Sequence, residues 1–277
     1  MICYKIDLYE YYGVERHGAN GGYVTVCARS ESHELKRRTR PAVLIMPGGC
    51  YMGLSDRESE PVALKFVDNG YVAFILQYSL HTKYPTPLYE AEMAISYIRD
   101  NAEAYQIDVH HICAAGFSAG GHLTGLLATA KQNETVLGKT IEEVKPNFAI
   151  LSYPVISMGK FTHEQSCSVI TGGDDSLRTV LSVENRVDSD SVPAFIWHTL
   201  QDDAVPVENS LMLANAYRKY NVPFCLHIFE EGSHGLSLAN DEVCDFTPEQ
   251  NHLYDLGKCV ALSCDWLRTK GFKVVVK

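Results

Sequence analysis

Short apolar runs recur along this chain, separated by stretches whose apolar residues return every three or four positions. That alternation restricts the fold more than any other feature. Residues 42–46 form an apolar run ending in Pro47-Gly48-Gly49, a strand followed by a turn. Residues 56–69 carry Val62, Leu64, Phe66 and Val67 at helical spacing and stop at Asn69-Gly70. Residues 71–78 give a second strand, and 87–105 a long helix with apolar residues at 88, 91, 94, 95 and 98. A third strand, 112–117, runs straight into Ser118, and 119–130 is helical. Strands follow at 148–153, 194–198 and 224–229, with helices over 207–220 and 248–269. Such strands, apolar on both sides and alternating with helices, belong in a parallel sheet covered on both faces. Right-handed crossovers make it doubly wound.

Two segments depart from the pattern. Residues 1–35 alternate Tyr and Val with no helical spacing, which predicts antiparallel strands on one sheet edge. Residues 157–191 are polar and too long for a simple connection, so a lid or binding loop is expected within a single domain spanning 1–277. Gly172-Gly173-Asp174-Asp175 lacks calcium-loop spacing and reads as a solvated turn, so no metal is expected there.

Composition excludes several classes. With 46% hydrophobic and 21% charged residues, the 277-residue chain can bury a core and is not disordered. Lys plus Arg number 24 and Asp plus Glu 34, giving a formal charge of −10, which argues against a nucleic-acid partner. The basic run Lys36-Arg37-Arg38-Thr39-Arg40 reads as gatekeeping charge in a solvated turn. The N-terminus shows no signal-peptide pattern, and no apolar run approaches the ~18 residues of a membrane span. Nine cysteines, an odd count with no C-x-x-C pair, read as free thiols, most of them small buried hydrophobes. A cytoplasmic location without a membrane partner is expected. Oligomeric state is not written in the sequence; a homodimer is the assembly considered.

Gly116-Phe117-Ser118-Ala119-Gly120 matches G-x-S-x-G between a strand and a helix. A serine there sits on a tight turn with its hydroxyl raised above the sheet edge. Side chains two positions either side would collide with the neighbouring strand and helix. The hydroxyl needs a base, oriented by a third group. In this strand–turn–helix arrangement the chain order is Ser, acid, His. His234, in Gly232-Ser233-His234-Gly235 just after the sixth strand, meets the order. His122 reads as support for the turn, and His198 and His227 as buried strand histidines. Asp202 and Asp203, adjacent after the fifth strand, are the acid candidates. Backbone N–H donors for a developing oxyanion are expected from Gly49 or Cys50, together with Ala119.

Taken together, these motifs resemble the α/β-hydrolases, and more narrowly the small bacterial esterases related to acetyl-xylan and feruloyl esterases. The likeness covers roughly residues 40–240. It rests on Pro47-Gly48-Gly49-Cys50-Tyr51, Tyr84-Pro85-Thr86-Pro87-Leu88-Tyr89-Glu90, GFSAGGHL at 116–123, Trp197-His198 leading to Asp202 and Val205-Pro206, and Gly232-Ser233-His234-Gly235-Leu236. The resemblance implies an α/β/α sandwich with a mostly parallel sheet and an antiparallel N-terminal edge. It selects Asp202 over Asp203 and makes Ser118, Asp202 and His234 a triad. Cys50 departs from the family's third glycine, so a side chain narrows the pocket there or the backbone is one open to other residues. The implied activity is cofactor-free hydrolysis of a small ester, with a short acyl chain such as acetate on a sugar. Tyr51 is expected to meet substrate, and Tyr78, Tyr153 and Trp197 are further candidates for a sugar-facing ring. A peptidase of the prolyl-oligopeptidase kind, an acyltransferase and a non-catalytic binding protein are the alternatives.

Overall fold

A computed structural model describes residues 2–30, 33–34 and 38–276. Lys36 and Arg37 of the basic run lie outside them. The elements run β1 (Ile2–Asp7), α1 (Leu8–Tyr12), β2 (Tyr23–Ala28), β3 (Arg38–Met46), α2 (Glu60–Asp68), β4 (Val72–Gln77), α3 (Thr86–Asp100), α4 (Ala102–Tyr105), β5 (Ile107–Phe117), α5 (Ala119–Ala128), α6 (Ile141–Val144) and β6 (Phe148–Ser152). The chain continues through α7 (Glu164–Thr171), α8 (Ser176–Leu181), α9 (Val183–Arg186), β7 (Ala194–Thr199), α10 (Glu208–Lys219), β8 (Phe224–Phe229), α11 (Cys259–Arg268) and β9 (Val275–Val276).

The sheet order is β1-β2-β4-β3-β5-β6-β7-β8. Strands β4 through β8 along this path are parallel, while β1 and β2 are antiparallel, as expected of an N-terminal edge. The apolar runs become two cores because alternate strand residues point to opposite faces. Leu44, Met46, Phe74, Ala114 and Ile196 pack with α3, α5 and α10. Val43, Ile45, Ala73, Ala115 and Phe195 pack with α2 and α11. This is the three-layer sandwich of an α/β-hydrolase. Among the described residues no helix is long and apolar enough to cross a membrane.

Two local readings need correction. The N-terminal segment does contain a helix, α1. It is only five residues long, too short to show a period, but it is capped at both ends. Asp7 Oδ1 accepts the Tyr9 and Glu10 N–H groups at 3.0 and 3.2 Å, and Gly13 closes it in the left-handed conformation. The helix expected over 248–269 is α only from Cys259; residues Pro248–Lys258 form a 3-10 helix. There Gly257 lies so close to Leu238 that a Cβ would come within 2.2 Å of its carbonyl oxygen. The 157–191 segment, expected as a lid or binding loop, is largely helical. It carries α7, α8 and α9, and Cys167, Ile170, Leu181 and Val183 are buried in the main core. Its Gly172-Gly173-Asp174-Asp175 is an exposed turn after α7, with both glycines at positive φ.

Glu90 shows how a polar position anchors the framework. It lies on the buried side of α3, where it accepts the Ser79 N–H and Oγ–H at 2.5 Å each and the Tyr9 hydroxyl at 2.9 Å. One carboxylate thereby joins α1, α3 and the chain leaving β4.

Candidate active site

The C-terminal ends of the parallel strands gather the loops singled out in the sequence, as open α/β sheets do. Ser118 follows β5 directly, with φ 53° and ψ −118°, a region L-residues rarely enter. The flanking glycines make that turn sterically accessible. A Cβ on Gly116 would lie 2.1 Å from Thr124 Oγ1 and 2.2 Å from the Gly120 carbonyl oxygen. One on Gly120 would lie 2.0 Å from Met46 O and 2.4 Å from Pro47 O, both backbone atoms of the neighbouring strand and its loop. Gly120→Ala is therefore expected to destabilise the fold by about 3 kcal/mol. Chemical denaturation that found it as stable as wild type would show that the α5–β3 contact is slack.

Ser118, His234 and Asp202 come together in one line. His234 Nε2 is 2.7 Å from Ser118 Oγ, and its Nδ1 is 2.7 Å from Asp202 Oδ2. Asp202 Oδ1 accepts the Ala204 and Val205 N–H groups at 3.1 and 2.8 Å. Burial would raise the Asp202 carboxyl, but hydrogen bonds from His198 and His234, the His234 charge and the Val205 N–H outweigh it and hold it below the usual carboxylate range. Asp203 is exposed, and the hydrogen bond and ion pair of His234 Nδ1 go to Asp202 instead.

His198 extends the line. Its Nε2 lies 3.2 Å from Asp202 Oδ2 and 2.9 Å from Val205 O, and its Nδ1 lies 2.8 Å from Ser210 Oγ. Two acceptors at Nε2 place the proton there. The sequence marks His198 as a buried histidine, which it is, but its contact with the acid was not legible. His122 is likewise buried, between the Tyr51 hydroxyl at 2.7 Å and the Leu181 carbonyl at 2.8 Å. Burial pushes its pKa down to about 4, so it stays neutral.

The loop after β3 runs past Ser118. The Gly48 N–H is taken by Glu58, whereas those of Gly49, Cys50 and Ala119 donate to no protein acceptor among the described residues. Cys50 and Tyr51 both have φ 60°, so the backbone does not relax to a shape suited to other residues. It holds Cys50 in the left-handed region that favours glycine. Turn bonds to Gly49 O from Met52 and Gly53, each 2.9 Å, fix it there. The Cys50 thiol is pushed up by burial and lies against Ser166 of α7.

The sugar-facing aromatics are a correction. Tyr51 is 0% exposed, its hydroxyl is bound to His122 and its ring packs on Tyr78. Tyr78, Tyr153 and Trp197 are equally buried. An aromatic next to a loop glycine reads as a platform, but here the ring is the loop's anchor in the core. Glu58 was not found from the sequence. Nothing there separates it from Asp56 and Glu60, which flank it on the same short segment.

Comparison with known proteins places this geometry. The BD-FAE family model matches residues 32–217. The chain is 37% identical to endo-1,4-beta-xylanase B of Butyrivibrio fibrisolvens over 73% of its length, which is 33% of that protein. It is 32% identical to an acetylxylan esterase of Xylanibacter ruminicola over 72% of its length, 41% of that protein. It thus spans a third to two-fifths of the length of these curated relatives. The crystal structure of an acetyl ester-xyloside bifunctional hydrolase from Caldicellulosiruptor lactoaceticus is 36% identical. Its TM-score is 0.78, covering 91% of this chain and 89% of that one. The match spans the strands and loops that carry Ser118 and Asp202, and this chain belongs to the BD-FAE family of α/β-hydrolases.

Proposed function

We propose that this protein is a serine carboxylic-ester hydrolase that removes short acyl groups, acetyl above all, from hydroxyls of sugars or small alcohols. The observation that carries the reading is the unbroken line Asp202–His234–Ser118, with both contacts of His234 at 2.7 Å. His234 takes the proton of Ser118 as Oγ attacks the acyl carbonyl. The developing oxyanion is met by the Ala119 N–H and by that of Gly49 or Cys50. The ester C–O bond breaks and His234 protonates the departing alcohol, leaving the acyl group on Ser118. Water, deprotonated by His234, attacks the acyl carbonyl; the Ser118 Oγ–acyl bond breaks, His234 returns the proton to Oγ, and the acid leaves. No step calls for a metal or organic cofactor. The acetylxylan esterase and the acetyl ester-xyloside hydrolase among its relatives support acetate as the acyl group and a xylose-type alcohol.

The test is hydrolysis of p-nitrophenyl esters of increasing acyl length, with acetate release from acetylated xylo-oligosaccharides alongside. Fast cleavage of the acetyl ester, falling as the chain lengthens, is the expected result. Equal rates across the series would remove the short-acyl assignment, and no cleavage of any ester would remove the hydrolase reading.

A further inference from the structure

We propose that Glu58 is a positioning residue for this chemistry, a second carboxylate that ties the oxyanion loop to the His234 loop and lends negative charge to His234. The inference rests on the hydrolase reading above. Glu58 is 2% exposed and ends the short 3-10 turn Asp56–Glu58. Its Oε2 accepts the Gly48 N–H at 2.7 Å, one residue before the free N–H groups of Gly49 and Cys50. Its Oε1 accepts the Tyr153 hydroxyl at 2.7 Å. Tyr153 Oη in turn accepts the Ser237 N–H at 2.9 Å, and Ser237 Oγ donates to the Arg57 carbonyl at 2.5 Å. The Tyr153 ring stands edge-on to His234, 5.1 Å between centroids. One buried side chain therefore connects the loop after β3, the end of β6 and the loop carrying His234.

Both Glu58 oxygens act as acceptors toward N–H and O–H donors, the pattern of an ionised carboxylate. Burial pushes its pKa up, and the Tyr153 hydroxyl, the Gly48 N–H, His234 and Arg57 oppose that rise. The fit is tight as well. A Cβ on Gly48 would come within 2.8 Å of Glu58 Oε2, the Phe117 carbonyl oxygen and Ser118 Cβ alike, so the loop threads between the carboxylate and the nucleophile. A charge held this close favours the imidazolium that His234 becomes as Ser118 attacks.

The groups around both partners are defined. Asp202, Glu58, Tyr153 and His163 at the start of α7 act on His234; His234, Arg57, Tyr153, Tyr78 and Cys50 surround Glu58. Glu58→Gln removes the charge and also puts an NH₂ where one of the two acceptor oxygens stood, facing the Gly48 N–H or the Tyr153 hydroxyl. The reaction to follow is the rate at which a fluorophosphonate probe labels Ser118 across pH, with p-nitrophenyl acetate hydrolysis measured in parallel. Labelling reports the Ser118–His234 pair whatever the natural substrate, so it separates this inference from the ester assignment. Glu58→Gln is expected to slow labelling about 10- to 100-fold and move the acidic midpoint of the pH profile down by about half to one unit. Glu58→Asp, which restores charge at shorter reach, is expected to return the midpoint but not the full rate. Tyr153→Phe keeps the carboxylate and cuts its link to Ser237, so about a tenfold slower labelling is expected; it serves should Glu58→Gln fail to fold. An unchanged rate and midpoint in folded Glu58→Gln, or wild-type labelling by folded Tyr153→Phe, would overturn the proposal. A wild type that labels but cleaves no ester would instead remove the hydrolase reading, while the labelling rates of the variants would still decide whether Glu58 acts on the Ser118–His234 pair.

Discussion

Ser118→Ala is expected to lower kcat/KM for p-nitrophenyl acetate by ~10⁴ or more while leaving the fold intact. The size follows from what is removed. With no hydroxyl, no acyl-enzyme forms, and His234 can at best direct water at the carbonyl. The free N–H groups of Gly49, Cys50 and Ala119 remain, so a residual acceleration over solution is expected rather than none. The stability forecast is equally specific. The Ser118 side chain has a single hydrogen bond, to His234, and alanine meets the strained φ of 53° with the same Cβ. The change should therefore stay within about 1 kcal/mol. Retention of a tenth of the wild-type rate by a purified, folded mutant would mean that another group performs the chemistry. A loss of both fold and rate would mean that the Ser118–His234 contact holds the loops together as well.

The framework was legible because hydrophobic burial writes it redundantly. The inner parallel strands are covered on two faces over their buried stretches, so those stretches must be apolar, and the runs stand out without any knowledge of their partners; the edge strand β8 is only half-buried. The glycines at 116 and 120 were legible for the opposite reason: a single close approach to backbone forbids any side chain. What escaped notice depends on contacts distant in sequence. Glu58 meets Tyr153 across 95 positions, and Ser237 meets Arg57 across 180. No local pattern tells a buried carboxylate from the solvated ones beside it. Helix α1 was missed because five residues cannot show a period, although its Asp7 cap and Gly13 stop are both written in the chain. Tyr51 misled for a related reason. An aromatic beside a catalytic loop can face substrate or core, and only the position of His122, 71 residues on, decides for the core.

Asp202→Asn is expected to lower kcat by ~10⁴, with Asp203→Asn near wild type as the control. Four donors converge on the Asp202 carboxylate: the Ala204 and Val205 N–H groups on Oδ1, and His234 and His198 on Oδ2. Asparagine offers one oxygen and one NH₂. If the oxygen stays with the backbone, the NH₂ faces His234 Nδ1. That forces the proton onto Nε2, and the imidazole can no longer accept one from Ser118. If the amide turns round, the NH₂ meets two backbone donors and the loss appears as stability. Either way catalysis suffers, and the balance between kcat and Tm reports which orientation wins. The pH dependence gives a second signature. The folded carboxyl sits below its ordinary value, so its stabilisation is fully present above about 3.9 and is lost as pH falls through the lower folded value. Asparagine has no such contribution. The stability gap between wild type and Asp202→Asn should therefore be widest near neutral pH and narrow as pH drops below about 4. Urea midpoints taken across that range that ran parallel would show the carboxylate gains nothing from its four donors. In that case Asp202 would act on His234 through geometry rather than charge.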